Sequence, residues 1–569
     1  MSDPWYILVV IVGILFVFAL FGNINERRYA AQRRKRLADA YGQRPGREYS
    51  PEEIARLPRY FEKHRDSEPY VIDDITAADL DIYDLFARVN YCRSAAGEEV
   101  LYNRLRSPSY RKEELDELEK EICLYTTDSE LRLDLQMLFT ELGGSGKFSV
   151  YDYLDNLSAV TKKSLVPHII GIAAVIGAAV LTAVNVTVGF IPLIIICLYQ
   201  VVTYYREKAE CDAYLSTFVY ILRLIICGEK AAKRLKNIPL SEAAAALKPF
   251  AKGAGVLVGS ARTSGSGNPL DIFADYLRIL LHLDLIKFRQ MINELGKHGR
   301  DIDRLITLLG NIETAISISC YRASLSGESG YSVPDLREGD DISLDVRDLR
   351  HVLIEDGAVT NSMTVDRSIL ITGANASGKS TWLKALGLCA LMAQTIHTVT
   401  AKSYSAPFFR IYSSMALSDN LQGGESYYVV EIRALSRVLT AASDHAAPPV
   451  LCFIDEVLRG TNTIERIAAS AQILRFFAHE RALMFAATHD LELTELLKND
   501  LDNYHFEGEL RDSDVLFDYR IKPGPSVTRN AIGLLKRFSY ASDITGSAEA
   551  MAKRFEETGI WSMDGEPLS

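Results

Sequence analysis

Residues Gly373-Ala-Asn-Ala-Ser-Gly378-Lys379-Ser380 fit the pattern G-x-x-x-x-G-K-[ST]. Each part has a chemical purpose. Gly373 and Gly378 let backbone N–H groups turn inward around phosphate oxygens. A helix N-terminus beyond them adds partial positive charge. Lys379 reaches the β- and γ-phosphates, and the Ser380 hydroxyl ligates Mg²⁺. A second cluster, Asp455-Glu456, follows the apolar run Leu451 to Ile454. Asp455 can hold the metal through water, and Glu456 can orient or deprotonate an attacking water. His489, in "MFAATHD", ends another apolar run, where it could sense the γ-phosphate. In "LQGGESYYVVEI", Gly423 and Gly424 lead to Ser426 at a helix start, which offers N–H and O–H donors to an anion. That anion could be the γ-phosphate of a second subunit, or the serine could be an ordinary cap.

These residues need a scaffold. Ser368–Ile371 is strand-like before the glycine loop, and Thr381–Gln394 is helical after it. "VLCFIDE" and "ALMFAATH" are further strand-like runs between helices, which predicts a sheet flanked by helices over residues 336–545. "SGESGYSVPDL" (Ser326–Leu336) is the break before it. Residues 71–164 and 205–335 carry apolar residues at three- and four-residue spacing, predicting helices such as "DIFADYLRILLHLDLIKFRQMINELGKH". Residues 546–569 form a tail.

Two stretches are too apolar for this pattern. Trp5–Gly22 has no charge and is followed by Arg27, Arg28, Arg33, Arg34, Lys35 and Arg36. We read residues 1–26 as a transmembrane anchor and 27–70 as a basic linker, the cluster suiting anionic lipid headgroups. Residues 165–204 are divided near "AVNVTVG" and read as a transmembrane hairpin, Leu165–Val184 and Val186–Tyr204, flanked by Lys162, Lys163, Arg206 and Lys208. The three spans predict a multi-pass cell-membrane protein with its N-terminus outside and the phosphate loop in the cytoplasm. The eight cysteines include no C-x-x-C pair, in keeping with a reducing compartment.

The ordered set of motifs resembles the ATPase domain of the MutS family. That family's GPN-x-x-GKST is similar to GANASGKST here, with Asn375 retained and Ala374 in place of proline. Its ST-F-M-x-E-M element resembles Ser426-Tyr-Tyr-Val-Val-Glu431-Ile, and its DE-x-GRGT-[ST] resembles Asp455-Glu456-Val-Leu-Arg459-Gly460-Thr461-Asn462. Ala487-Thr488-His489 matches its ATH, and Lys522–Phe538 is a looser match to a late segment. The resemblance implies a fold of an α/β P-loop ATPase domain, ABC/MutS-like, preceded by an all-α lever domain and here carrying three transmembrane helices. It implies ATP and Mg²⁺ as cofactors and a homodimer through the ATPase domains. It places the phosphates on Gly373, Asn375, Gly378, Lys379, Ser380 and Thr381, and Tyr519 near the base. "CRSAAGEEVLYNRLRSP" (Cys92–Pro108) is similar to the start of the family's lever domain. The stretch before residue 71 leaves no room for the family's mismatch-reading domain, so the resemblance implies the engine rather than its client.

The net charge of −11 argues against a protein that coats nucleic acid indiscriminately. The reading is therefore a membrane-embedded, dimeric ATPase whose levers act on DNA near the membrane. The alternative is an ATPase for mechanotransmission or transport that acts on an unknown protein client without DNA. Three spans per chain are few for a transport path, and the absence of an N-K-x-D motif in the expected region disfavours GTP. A protein that binds ATP without turnover would need a defect outside Lys379, Asp455 and Glu456.

Overall fold

Helices fill the N-terminal part of the chain and alternate with strands toward its C-terminus. The computed structural model describes residues 27–146, 148–155, 164–251, 276–287, 297–325, 330–339, 341–355, 357–374, 377–415, 427–458, 461–511, 514–526 and 540–559, and the positions 13, 24, 25, 289, 532, 535, 536, 561–563, 566 and 567. Apart from Gly13, the run Trp5–Gly22 lies outside the described residues. The chain forms two compact units. One holds residues up to Glu68, Ala87–Arg104 and Leu118–Ser324; the other holds Pro69–Phe86, Leu105–Glu117 and Leu325–Ser569.

The first unit is helical. It includes most of α1 (Ala95–Arg106), α2 (Ser129–Leu142), α3 (Val166–Val184), α4 (Val186–Leu235) and α5 (Gly299–Ser324). On α5, Ile302, Leu305, Ile306, Leu309, Ile312 and Ile316 recur at helical spacing and are all buried. Each such side chain removed from water contributes about 1.5–3 kcal/mol. Glu313 is buried among them. Its carboxyl oxygen accepts from the backbone N–H groups of Arg93 (2.5 Å) and Ser94 (3.1 Å), so a polar group in the core is hydrogen-bonded rather than bare.

α3 and α4 form the hairpin. Asn185 makes the turn: its side chain accepts from the N–H groups of Thr187 (3.1 Å) and Val188 (3.3 Å), capping α4. The helices approach closely at Gly189, where a Cβ would lie 2.3 Å from the backbone nitrogen of Thr182. α3 and the Val186–Ala209 part of α4 are long and apolar enough to cross a membrane, and only 17% and 11% of their most apolar windows are buried. A helix of similar composition in a water-soluble core would be mostly covered. Instead Ile169, Ile170, Val180, Ile191, Ile195 and Leu198 are each more than half exposed. α4 does not end at Tyr204. It runs unbroken to Leu235, 50 residues, or about 75 Å at the helical rise.

The second unit carries strands β1 (Asp335–Arg337), β2 (Leu344–Leu349), β3 (Asn361–Val365), β4 (Ile369–Gly373), β5 (Ser403–Pro407), β6 (Arg410–Ser414), β7 (Val450–Asp455), β8 (Ala482–Ala487), β9 (Asp502–Arg511) and β10 (Asp514–Pro523). The main sheet has the order β10-β9-β4-β8-β7-β6. Its inner strands run parallel, and β9–β10 is an antiparallel hairpin. β4 and β8 are buried along their whole length, which is why they are continuously apolar rather than alternating. Its longer helices include α6 (Lys379–Thr395), α7 (Tyr427–Ala442), α8 (Thr463–His479) and α9 (Ser542–Thr558). A smaller sheet, β1-β5-β2-β3, completes the unit. The short helix Asp74–Asp79 packs here too: the Asp79 carboxylate accepts from Ser413 Oγ at 2.6 Å and from the Met415 N–H at 2.9 Å, fixing the end of β6.

Candidate nucleotide site

The parallel strands β4, β7 and β8 end on one edge, where open α/β sheets bind ligands. β4 delivers Gly373, then the loop turns and α6 begins at Lys379. Gly378 holds φ +105°, open to glycine and costly for other residues, and a Cβ there would meet the Tyr519 ring at 3.1 Å. Lys379 is 6% exposed, and its Nζ donates to the carbonyls of Gly373 (2.7 Å) and Ala374 (3.0 Å). The ammonium is therefore held against its own loop at the start of a helix. Ser380 and Thr381 in that first turn are exposed.

β7 brings Asp455 to the same place, and the Ser380 hydroxyl donates to its carboxylate. A hydroxyl and a carboxylate side by side are hard oxygen donors of the kind that Mg²⁺ takes. Among the described residues no group of three or more His, Cys, Asp and Glu could hold a metal by itself, so a cation here would need further oxygens from a phosphate or water.

Glu456 follows with φ +61°, and Leu458 has φ +59°. Each costs about 1–2 kcal/mol for a residue with a Cβ. Three hydrogen bonds hold this turn. The Glu456 N–H donates to Ala487 O (2.9 Å), Ser470 Oγ donates to Val457 O (3.3 Å), and the Leu458 N–H donates to Glu431 Oε1 (2.5 Å). Glu431 sits on α7 and is 2% exposed. The sequence pattern marked Glu431 only through the resemblance and assigned it no role. His489, just past β8, places Nε2 at 3.0 Å from Glu456 Oε1 and 3.4 Å from Lys379 Nζ. When Nε2 carries a proton it donates to Glu456; without one it accepts from Lys379.

A cavity of about 210 Å³ adjoins the loop, lined by residues including His351, Ile354, Gly378, Thr381, Trp382 and Tyr519. Tyr519 reaches it from an irregular step in β10, where the register with β9 shifts between Phe517 and Ile521. Asn361 pins that step. Its amide donates to Tyr519 O (3.1 Å) and accepts from the Ile521 N–H (2.9 Å). Burial, and then the Lys384 ammonium, push the His351 imidazole below its ordinary value.

The fold thus brings Lys379, Ser380, Asp455, Glu456 and His489 together, shapes the loop at Gly373 and Gly378, and sets Thr381 and Tyr519 at the cavity. Asn375 and Ser426 lie outside the described residues.

Residues 369–556 match the family model of MutS domain V. A "DNA mismatch repair protein MutS" of Streptococcus pneumoniae (strain Hungary19A-6) is 32% identical over 284 residues, 48% of this chain and 32% of the relative. A protein of the same description from Lactobacillus acidophilus is 30% identical over 264 residues, 44% of this chain and 30% of the relative. A "DNA mismatch repair protein HexA" of Streptococcus pneumoniae (strain ATCC BAA-255 / R6) is 31% identical over 284 residues, again 48% of this chain and 32% of the relative. The chain therefore spans about a third of the length of these relatives. The loop, the acidic strand end and the histidine, arranged as described, all fall within residues 369–556, the part of the chain that matches MutS domain V.

Proposed function

We propose that this protein is a membrane-anchored MutS-like ATPase that binds and hydrolyses ATP as a dimer and couples the cycle to movement of its helical unit. The observation that carries the reading is the meeting of Lys379, Ser380, Asp455, Glu456 and His489 at the ends of parallel strands. Lys379 and the first turn of α6 bind the phosphates, and the cavity beside Tyr519 takes the base. Ser380 and Asp455 hold Mg²⁺, which neutralises phosphate charge when bound. Glu456 orients and deprotonates the attacking water, and His489 reports the proton on Glu456 to Lys379. Asn375 and Ser426 are further phosphate contacts, the latter across a dimer.

The hairpin α3–α4, with the run Trp5–Gly22, anchors the chain in the cell membrane with the ATPase unit in the cytoplasm. Its exposed apolar surface supports this. The client we propose is DNA near the membrane, by the description of the relatives. A second reading, an ATPase acting on a membrane-protein partner without DNA, is favoured by the uncovered hairpin and the net charge of −11.

The test is steady-state ATP hydrolysis by the detergent-purified full-length protein, alone and with linear, mismatched and branched DNA, against Lys379→Ala. Stimulation by one DNA form, lost in the variant, supports the DNA reading. Hydrolysis indifferent to every DNA supports the protein client. No hydrolysis above Lys379→Ala under any condition overturns the ATPase reading.

A further inference from the structure

Residues 276–287 are continuous with "DIFADYLRILLHLDLIKFRQ", whose spacing predicts one amphipathic helix in water. The structure differs in two ways. The helix breaks at Leu281-His282, with His282 at φ +51°. And burial in the segment does not follow polarity: Leu285 is 1% exposed, but polar side chains are buried beside it. Arg278 is 9% exposed, His282 2% and Asp284 2%, whereas its two exposed residues are Tyr276 at 69% and Leu277 at 41%.

The buried polar groups close on the hairpin. Tyr204 donates its hydroxyl to Asp284 Oδ2 at 2.6 Å, and Arg278 Nε lies 3.9 Å from the same oxygen. His282 Nε2 is 2.8 Å from the backbone oxygen of Gln200, to which it must donate. Its Nδ1 is 2.9 Å from Nδ1 of His168, near the start of α3. The Gln200 amide donates to Leu280 O at 3.4 Å, a carbonyl beside the break. Arg289 joins Glu207 at 2.5 Å and also donates to Ser164 O. One backbone carbonyl beside the break, Leu280 O, is thus satisfied by a side chain of the hairpin, as irregular backbone near a membrane requires.

A segment that buries arginine, histidine and aspartate while showing tyrosine and leucine is organised against water. It fits an apolar surround with polar headgroups at hand. Its position agrees. Gln200 and Tyr204 lie 15 and 19 residues beyond the Asn185 turn, about 22–28 Å along α4, which is close to the thickness of a bilayer's hydrocarbon layer. At that level Tyr199 and Tyr205 are also exposed, 66% and 55%, like Tyr276, and tyrosine concentrates at the membrane–water boundary.

We propose that residues 276–287 form an additional membrane-contacting element: a broken, interfacial segment held to the base of the hairpin by a polar lock and covered on its Tyr276–Leu277 side by lipid. It rests on the proposed membrane insertion of the hairpin. It does not cross the bilayer, because its polar groups are committed to the hairpin.

The test places a benzophenone-bearing phenylalanine analogue, singly, at positions 276, 277, 191 and 331 of the full-length protein in phosphatidylcholine–phosphatidylglycerol vesicles. Lipid adducts are counted by mass spectrometry after illumination. Position 191 reports the hairpin, and position 331, exposed in the ATPase unit, reports water. The expected result is about tenfold more lipid adduct at 276 and 277 than at 331, approaching the yield at 191. Adducts at 191 with background yield at 276 and 277 overturn this inference and leave the anchored hairpin standing. Background yield at 191 as well overturns both.

Discussion

The candidate nucleotide site and the base of the hairpin both gather ionisable side chains, and they treat them differently. At the hairpin, His168, Tyr204, His282 and Asp284 are each 2% exposed or less and are committed to one another or to backbone. At the nucleotide site, Ser380 and Thr381 are exposed, and the Glu456 and His489 side chains keep 21% and 37% of their surface. A polar cluster satisfied internally is a lock. One that keeps open donors and acceptors, on a strained turn held by neighbours, is arranged to receive a ligand.

The largest test of that contrast is Glu456→Gln. It should lower kcat by about 10²–10³-fold, in the range of a lost general base, while ATP binding measured by equilibrium titration is retained. Unchanged turnover would remove Glu456 from the chemistry. Asp284→Ala should instead leave ATP binding alone and destabilise the helical unit by about 2 kcal/mol, since the buried Tyr204 hydroxyl loses its acceptor. Hydrogen exchange over 276–287 would read this, and unaltered protection there would mean the cluster is no lock. Glu431→Ala should fall between the two behaviours. Freed from its tether, Leu458 lets the Glu456 turn relax, and kcat drops about tenfold with little change in ATP affinity. Glu431→Gln, which keeps an acceptor, should recover most of the rate.

The smallest effect separates the two units by pH. Burial pushes the Glu99 carboxyl up to about 8 and Glu313 up to about 7, from an ordinary 4.5. The folded helical unit therefore holds protons that the unfolded chain has released, and it loses stability as pH rises across that window. His64 acts in the same direction. Burial opposes its charge, but the hydrogen bond to Asp303 prevails and raises it, so its contribution is present below about 6.5 and is lost as pH climbs through the raised value. In the ATPase unit His351 is lowered, so its burial costs stability as pH falls below 6.5. Monitoring exchange in each unit between pH 5 and 8 should show the helical unit firmer at the acid end and the surroundings of His351 firmer at the alkaline end. Parallel responses would contradict these assignments.

Much of the candidate site's grouping was legible in sequence because its parts are local. The glycines, Lys379 and Ser380 share one loop, and Asp455, Glu456 and His489 each end a short apolar strand. The tether from Glu431 to Leu458 was not, because it joins residues 27 apart through a turn whose backbone departs from regular geometry. Nor was the packing of Asp74–Asp79 against β6, since an acidic helical turn gives no sign of its partner across hundreds of residues. The same limit hid the break at His282. Apolar spacing continues through it, and only the αL backbone and the contacts with Gln200 and His168 reveal it.

By itself, then, the sequence determined the pattern from which phosphate binding is proposed and the two long apolar helices of the hairpin, because both follow from residue types in contiguous stretches. Tertiary structure decided which way a polar residue faces. Nothing in the sequence marks Arg278, His282 and Asp284 as buried until the hairpin supplies their partners, because a side chain's surroundings depend on whatever the fold packs against it.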